Sequence, residues 1–355
     1  SQVPEGLQCI APGVIMFDTY TEGTRPGGIT TTRWLSEYSD HLQAFNLSKN
    51  DPDNGFFPVA PVVDEDGDGR WIDEIPLAST GDVTLFTDDD ELIYPDGQFR
   101  EQHYLARAVN EHKGNVLGRR LLEPDMRFSD AVQAFGTDTL SFTDTSPGAM
   151  LERVAASGVS VLNLGGWFDG FLKGTTKLFS SMEQGSGMRM MIGPRFHVPE
   201  GVTPPYQELL GYDGDLASDV VLEEIRFFDW CLKGIDTGVS EEDPVLLYVM
   251  NRGWRHEKGW PLERQEIQSL HLGPSGSLGA DIGEPGLDHY NVDFEHTANF
   301  GSNATNRWIL MRSPDSLMVR TELDKQTIFY ETEPLDTELE VTGHPVVDLW
   351  VSANQ

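Results

Sequence analysis

Apolar and polar positions divide this chain into stretches with different grammars. LQCIAPG (7–13) is a short apolar run stopped by Pro-Gly, the pattern of a buried strand that meets a turn. From about residue 17 to 148 strong periodicity is lost, and Asp, Gly, Pro and aromatic residues dominate. One helical stretch is predicted there, GQFREQHYLARAVNEHKGN (97–115). This part reads as an insertion or cap.

Order returns with AMLERVAASG (149–158), a predicted helix ended by Gly, followed by VSVLNLGGWFD (159–169), a β-branched apolar strand that runs into glycines. MRMMIGPRFH (188–197) repeats the design of apolar strand, Gly-Pro turn and polar residue. DLASDVVLEEIRFFDWCLKG (215–234) predicts an amphipathic helix with Leu216, Val220, Ile225, Phe228 and Leu232 near one face, Lys233 in the last turn and Gly234 as the stop. Strands and helices in alternation are the mark of an α/β fold.

From about residue 243 short strands follow one another: PVLLYVM, SLHLG, RWILM, TIFYET and VVDLWVS, separated by Gly, Pro, Asp and Asn turns. They predict a β-sandwich. There are too few of them to close two sheets, and the last is followed at once by Gln355, so the sandwich is expected to be cut. With Ser as first residue and no signal peptide, the chain is expected to be processed or a fragment.

At 355 residues the chain exceeds what one hydrophobic core usually organises, which predicts two or three units. Its 58 acidic against 25 basic residues give a net charge of −33, which argues against nucleic acid and anionic membranes as partners. Seven of the 25 cations are lysine, and an acidic, lysine-poor surface suits a saline solvent whose counterions screen self-repulsion. No apolar run of about 18 residues spans a membrane, so a soluble protein is expected. Cys9 and Cys231 have neither metal nor redox spacing and read as small core residues. The sequons Asn46-Leu47-Ser48 and Asn303-Ala304-Thr305 matter only in a glycosylating secretory pathway.

Two apolar strands, each ending in a Gly-containing turn and a titratable residue, fit the carboxyl edge of a parallel sheet, where sites form. Asp169 and His197 are those two residues. An imidazole that removes a hydroxyl proton needs a carboxylate to fix its tautomer, and the order Asp then His matches the α/β-hydrolase order Ser, Asp, His. Trp167 and Phe171 flank the aspartate and are the candidates to line an acyl pocket.

DEDGDGRWIDE (64–74) spaces Asp64, Asp66 and Asp68 before Gly69 as a calcium loop does, with Asp73 and Glu74 at positions 10 and 11 instead of Glu at 12. It is read either as a free-standing structural Ca²⁺ site or as an Asp-Gly turn on an acidic surface. No cofactor for catalysis is expected.

GGWFDGF (165–171), IGPRFH (192–197), FFDWCLKGIDTG (227–238), PVLLYVMNRGWRHEKGWPL (244–262) and PLDTELEVTGHPVVDLWVS (334–352) together resemble the X-prolyl dipeptidyl-peptidase and cocaine-esterase group of serine hydrolases. That resemblance implies that Asp169, in G-W-x-D-G, and His197, in G-P-x-x-H, are the triad acid and base. The family commonly has Trp after the Gly-Pro, where this chain has Arg195, a departure that bears on local packing or substrate contact.

The resemblance also implies an α/β-hydrolase core, partial here, with an inserted cap and the start of a C-terminal jelly roll. The expected divisions are a core strand in 1–16, the cap in 17–148, the core with its Asp and His in 149–242, and the jelly-roll β-sandwich from 243 to 355. No G-x-S-x-G elbow is present, since QGSGM, GVSEE and GPSGS each lack a required glycine; the nucleophile is expected upstream of Ser1. The expected function is hydrolysis of a small acyl ester, amide or peptide through an acyl-enzyme, with these 355 residues inactive alone. The alternative is a catalytically silent, acidic, Ca²⁺-stabilised binding or structural protein.

Overall fold

In the computed structural model the described residues are 5–46, 112, 118–123, 126, 132–135, 138–182, 187–197, 204–293, 325 and 327–354. The chain divides into two compact units, Ser1–Phe17 with Pro147–Gln355, and Asp18–Ser146.

The first unit is built on one sheet of five strands in chain order: β1 (Cys9–Ile10), β2 (Ser160–Gly166), β3 (Met188–Gly193), β4 (Val245–Val249) and β5 (Gly253–Glu257). The first four run parallel and β5 returns antiparallel to β4. Parallel neighbours need a crossover, and helices supply it. The chain passes from β2 to β3 through α2 (Leu172–Ser181), and from β3 to β4 through α3 (Pro204–Leu210) and α4 (Leu216–Lys233); α1 (Leu151–Ala156) leads into β2.

Both faces of this sheet are covered, which is why its strands are near-continuous apolar runs. Alternate residues serve opposite cores. Leu162, Leu164, Met191 and Tyr248 join Leu216, Val220 and Phe227 of α4 on one face. Val161, Met190, Ile192, Val245 and Leu247 join Leu178 and Phe179 of α2 on the other. Asn163, fully buried in β2, donates from Nδ2 to the Thr175 carbonyl at 2.7 Å and ties α2 to the strand.

α4 forms where the pattern predicts it, and Gly234 ends it in the left-handed conformation at φ +65°. Its buried face is different from the predicted one. Leu216, Val220, Glu223 and Phe227 point inward, whereas Ile225 and Leu232 are exposed. Spacings of four, three and four keep the true face on one side of a helix with 3.6 residues per turn, and a charged residue occupies one of its positions. Glu223 is tolerated there because Arg226 donates to it at 2.6 Å and reaches Glu242 at 2.7 Å with its other nitrogen.

PVLLYVM, expected to open the sandwich, instead supplies β4 of the α/β sheet, and the core sheet continues to Glu257. An apolar run shows that a strand is buried on both faces but not which neighbour it pairs with. Beyond Glu257, pairing among the described residues consists of His271–Leu272 with Leu278–Gly279 and a single bridge from Ser277 to Glu331. RWILM (307–311) lies outside the described residues, and VVDLWVS (346–352) has no strand partner among them. The segment around Glu340 is held by charge: Arg255 grips that carboxylate with two bonds of 2.8 and 3.1 Å, and Arg252 pairs with Glu338.

Cys9 is buried in the core beneath α4 and Cys231 packs against the same cluster. Burial and the adjoining Cys231 thiol push the Cys9 thiol up to about 12, so it stays protonated and serves as a core residue.

In the second unit, Asp18 caps a π-helical turn (Thr19–Thr24) by accepting from the amides of Tyr20 and Thr21. A helix (Thr32–Asn46), a 3₁₀ turn (Gly118–Leu122) and an antiparallel hairpin (Val132–Phe135 with Asp138–Ser141) follow, and Ser141 and Asp144 form a capping box at Phe142–Thr145. Buried Arg25 donates to the Leu121 carbonyl at 2.7 Å. The helix predicted over 97–115 lies outside the described residues except for His112, which is helical. No helix among the described residues is long and apolar enough to cross a membrane.

Two stability measurements check this packing. Phe227→Ala is expected to cost about 3–5 kcal/mol in denaturant unfolding, whereas Ile225→Ala on the exposed side costs under about 0.5 kcal/mol; equal losses would contradict the assigned face. The second concerns acid. Arg255, aided by the Thr342 hydroxyl, holds the Glu340 carboxyl down at about 2 from an ordinary 4.5. A folded-state value below the unfolded one means that the contact stabilises fully above pH 4.5 and is lost as pH falls toward 2. The stability gap between wild type and Glu340→Gln is expected to stay below about 1 kcal/mol, because solvent screens the pair, and to close across that acid window; a gap that persists at pH 2 would refute it.

Candidate active site

The pairing of β2 with β3 sets Gly166 opposite Gly193, so the two strands end level at the carboxyl edge of the sheet. The loops that leave them stay in register. Trp167 donates its amide to the Gly193 carbonyl at 3.0 Å and Phe168 to the Arg195 carbonyl at 3.1 Å. Side chains continue the match, with the Phe168 ring stacked on Phe196 at 5.0 Å and the edge of Phe171 against the His197 ring at 5.4 Å. One step further along, Asp169 and His197 meet through Oδ1 and Nδ1 at 3.0 Å.

Two glycines make this approach possible. A Cβ on Gly166 would lie 2.4 Å from the Arg195 carbonyl oxygen and 2.5 Å from its Cγ. One on Gly165 would lie 2.7 Å from the Thr175 methyl on α2. The Gly-Gly at the end of β2 is thus where the helix and the His197 loop both close on the backbone.

The pair is asymmetric in exposure. The Asp169 side chain is 1% exposed and the His197 side chain 27%. An ionised carboxylate can only accept, so the shared hydrogen sits on Nδ1, and Nε2 is left with its lone pair. Nε2 makes no hydrogen bond among the described residues, nor does Asp169 Oδ2. Asp169 is itself fixed at a turn, its amide bonded to the Gly166 carbonyl and its carbonyl accepting from Leu172 at the start of α2. A partly exposed imidazole held from behind by a buried carboxylate can take a proton from a group in front of it and return it.

The two pocket candidates part company. Phe171 is buried and touches the His197 ring, whereas the Trp167 indole donates from Nε1 to the Tyr248 carbonyl at 2.7 Å and packs with Trp260 in the core on the α2 side. The calcium-loop residues Asp64, Asp66, Asp68, Asp73 and Glu74 lie outside the described residues. Among the described residues no group of three or more His, Cys, Asp or Glu is arranged to hold a metal.

The sequence marked Arg195 only as a departure from a motif. In the fold it turns inward, 4% exposed, and donates from Nη2 to the His197 carbonyl at 3.0 Å. Burial pulls its guanidinium below the ordinary value, opposed by the carboxylates of Asp169 and Glu224. No sequence signal separates this from a solvated arginine, because the direction of the side chain depends on the space left by Gly166.

Comparison with known proteins agrees with this architecture. Residues 237–355 match the X-Pro dipeptidyl-peptidase C-terminal non-catalytic domain. Proteins of Mycobacterium bovis and Mycobacterium tuberculosis named as serine esterases are each 28% identical over 366 residues, covering 98% of this chain and 53% of their own length. The chain thus spans about half the length of these relatives. A cocaine esterase of a Rhodococcus species is 26% identical over 145 residues, 38% of this chain and 24% of that protein. Among solved structures, an α-amino acid ester hydrolase superposes with a TM-score of 0.54 at 16% identity, covering 93% of this chain and 49% of that one, and so shares the fold. The parallel sheet with helices on both faces is that of an α/β fold, and these matches make the chain similar to the X-Pro dipeptidyl-peptidase and cocaine-esterase-like hydrolases.

Proposed function

We propose that this chain carries the acid–base pair of a hydrolase that cleaves a small acyl ester, amide or peptide through an acyl-enzyme. The observation that carries the reading is the 3.0 Å contact of buried Asp169 with Nδ1 of the partly exposed His197 ring at the carboxyl edge of a parallel sheet. The names of the relatives, serine esterase and cocaine esterase, support the same reaction class.

In this mechanism Nε2 of His197 removes the proton of an attacking serine hydroxyl and then delivers it to the leaving group. Asp169 keeps the ring in the tautomer whose Nε2 is free and stabilises the imidazolium while it exists. Phe171 fixes the plane of the ring. No G-x-S-x-G occurs among the 355 residues, so the proposal puts the nucleophile outside them, in the longer protein that the relatives' length suggests. β1 lies beside β2 and parallel to it, where a strand following a nucleophile helix belongs, which supports this arrangement.

The test uses the longer protein encoded with these residues, assayed on p-nitrophenyl acyl esters and an X-Pro anilide. Asp169→Asn is expected to lower kcat by about 10⁴-fold, because the ring loses the correct tautomer. Hydrolysis unchanged within tenfold in both Asp169→Asn and His197→Ala would refute the assignment. The 355-residue chain alone is expected to take no label from a fluorophosphonate, and stoichiometric labelling would place a nucleophile within it. Gly166→Ala is expected to cost on the order of 10²-fold in kcat with KM little changed, since the new methyl displaces the Arg195 backbone and the His197 that follows. Full activity in a folded Gly166→Ala protein would show that the close approach does not set the site.

A further inference from the structure

Asp169 sits on a short loop with two ends. Its head is Trp167, whose amide and indole donate to the carbonyls of Gly193 at 3.0 Å and Tyr248 at 2.7 Å. Its tail is the start of α2, where Leu172 donates to the Asp169 carbonyl at 3.2 Å. Bonds to β3 and β4 fix the height of the head, but a loop keeps its freedom unless something packs behind both ends.

Behind both ends lies one residue of the segment that follows Glu340. His344 places Nε2 3.4 Å from Trp260 Nε1 and 3.5 Å from Thr176 Oγ1. Its ring meets the Trp260 ring edge-on, with centroids 5.3 Å apart. Trp260 is buried and packs in turn on Trp167 at 6.2 Å. Thr176, also buried, stands one turn along α2 from Leu172, its hydroxyl 3.2 Å from the Leu172 carbonyl. The head of the aspartate loop is thus reached through Trp260 and its tail through Thr176, both from a single imidazole.

An indole N–H only donates, so Nε2 of His344 is the acceptor in this contact. The segment that carries it is tied to β5 by Arg255 on Glu340, and the Thr342 hydroxyl donates to the same carboxylate at 3.0 Å. All of these strap residues lie within 237–355, the part that matches a non-catalytic domain.

We infer that His344 is a positioning residue for Asp169: it clamps Trp260 and α2 behind the aspartate loop, with its own bonds going to Trp260 and Thr176. The inference rests on the reading of Asp169 as the acid of the pair. It gives the C-terminal region a part in the geometry of the reaction.

The experiment uses the longer protein and two readouts. His344→Leu keeps an apolar surface for the Trp260 ring and removes the acceptor; because His344 is exposed, the change opens no cavity in the core. His344→Gln keeps an acceptor at a similar reach. Hydrogen–deuterium exchange of the segment 167–172 is expected to quicken about tenfold in His344→Leu, the factor that one hydrogen bond of ordinary net strength supplies, with exchange in β3 unchanged. On the p-nitrophenyl esters kcat is expected to fall about tenfold with KM unchanged, since a misplaced acid affects the proton transfer and not binding. His344→Gln is expected to return both readouts to those of the wild type.

An unchanged exchange rate over 167–172 would overturn the inference, as would an equal quickening in β3, which would mean a general loss of stability. So would a His344→Gln protein that behaves as His344→Leu, or a kcat that stays at the wild-type value while exchange quickens. If the wild-type protein hydrolyses none of the esters, the hydrolase reading fails, and exchange alone decides whether His344 clamps the loop. Should His344→Leu not fold, Trp260→Phe removes the donor from the other side of the same bond and is held to the same outcomes.

Discussion

The register of β2 against β3 is the constraint on which the rest depends. Because Gly166 stands opposite Gly193, two strands finish at the same height, and the loops beyond them meet residue by residue through backbone bonds, stacked rings and finally the bond between Asp169 and His197. A slip of one position would turn every side chain of one strand to the other face and exchange the two cores beneath. The site is therefore built by the same interaction that builds the sheet, and its geometry is as secure as the packing of Met190, Met191 and Ile192 on either side of it.

Charge is the second constraint. With a net charge of −33 this protein has few cations to spend, and several of its arginines are tied to particular carboxylates: Arg226 with Glu223 and Glu242, Arg255 with Glu340, Arg264 with Glu257. Exposed pairs of this kind contribute little each and less as salt rises. Arg195 differs because it is buried, where screening by salt is weak and the field of one charge on another is strong.

Much was legible along the chain because local chemistry decided it. β2, β3 and α4 were readable from apolar runs and the glycine stop, and Asp169 and His197 from their places just past strand ends, since strand and helix periods are written in which positions are apolar. Pairing partners were not readable. PVLLYVM has the pattern of a strand buried on both faces, and only the sheet shows that its neighbour is β3. Nor was the inward face of α4, because Glu223 occupies a buried position by virtue of Arg226, and a count of apolar residues passes over a paired charge.

By itself the sequence determined the elements of the α/β core, the places of Asp169 and His197 just past two strand ends, and the lack of a serine elbow within these residues, all of which depend on residue type and short spacing. Tertiary structure alone decided that Asp169 and His197, 28 residues apart, lie 3.0 Å from each other, that Trp167 belongs to the core while Phe171 touches the histidine, and that Arg195 points inward. These outcomes depend on which strands become neighbours and how much room a missing Cβ leaves, and such quantities exist only once distant parts of the chain have met.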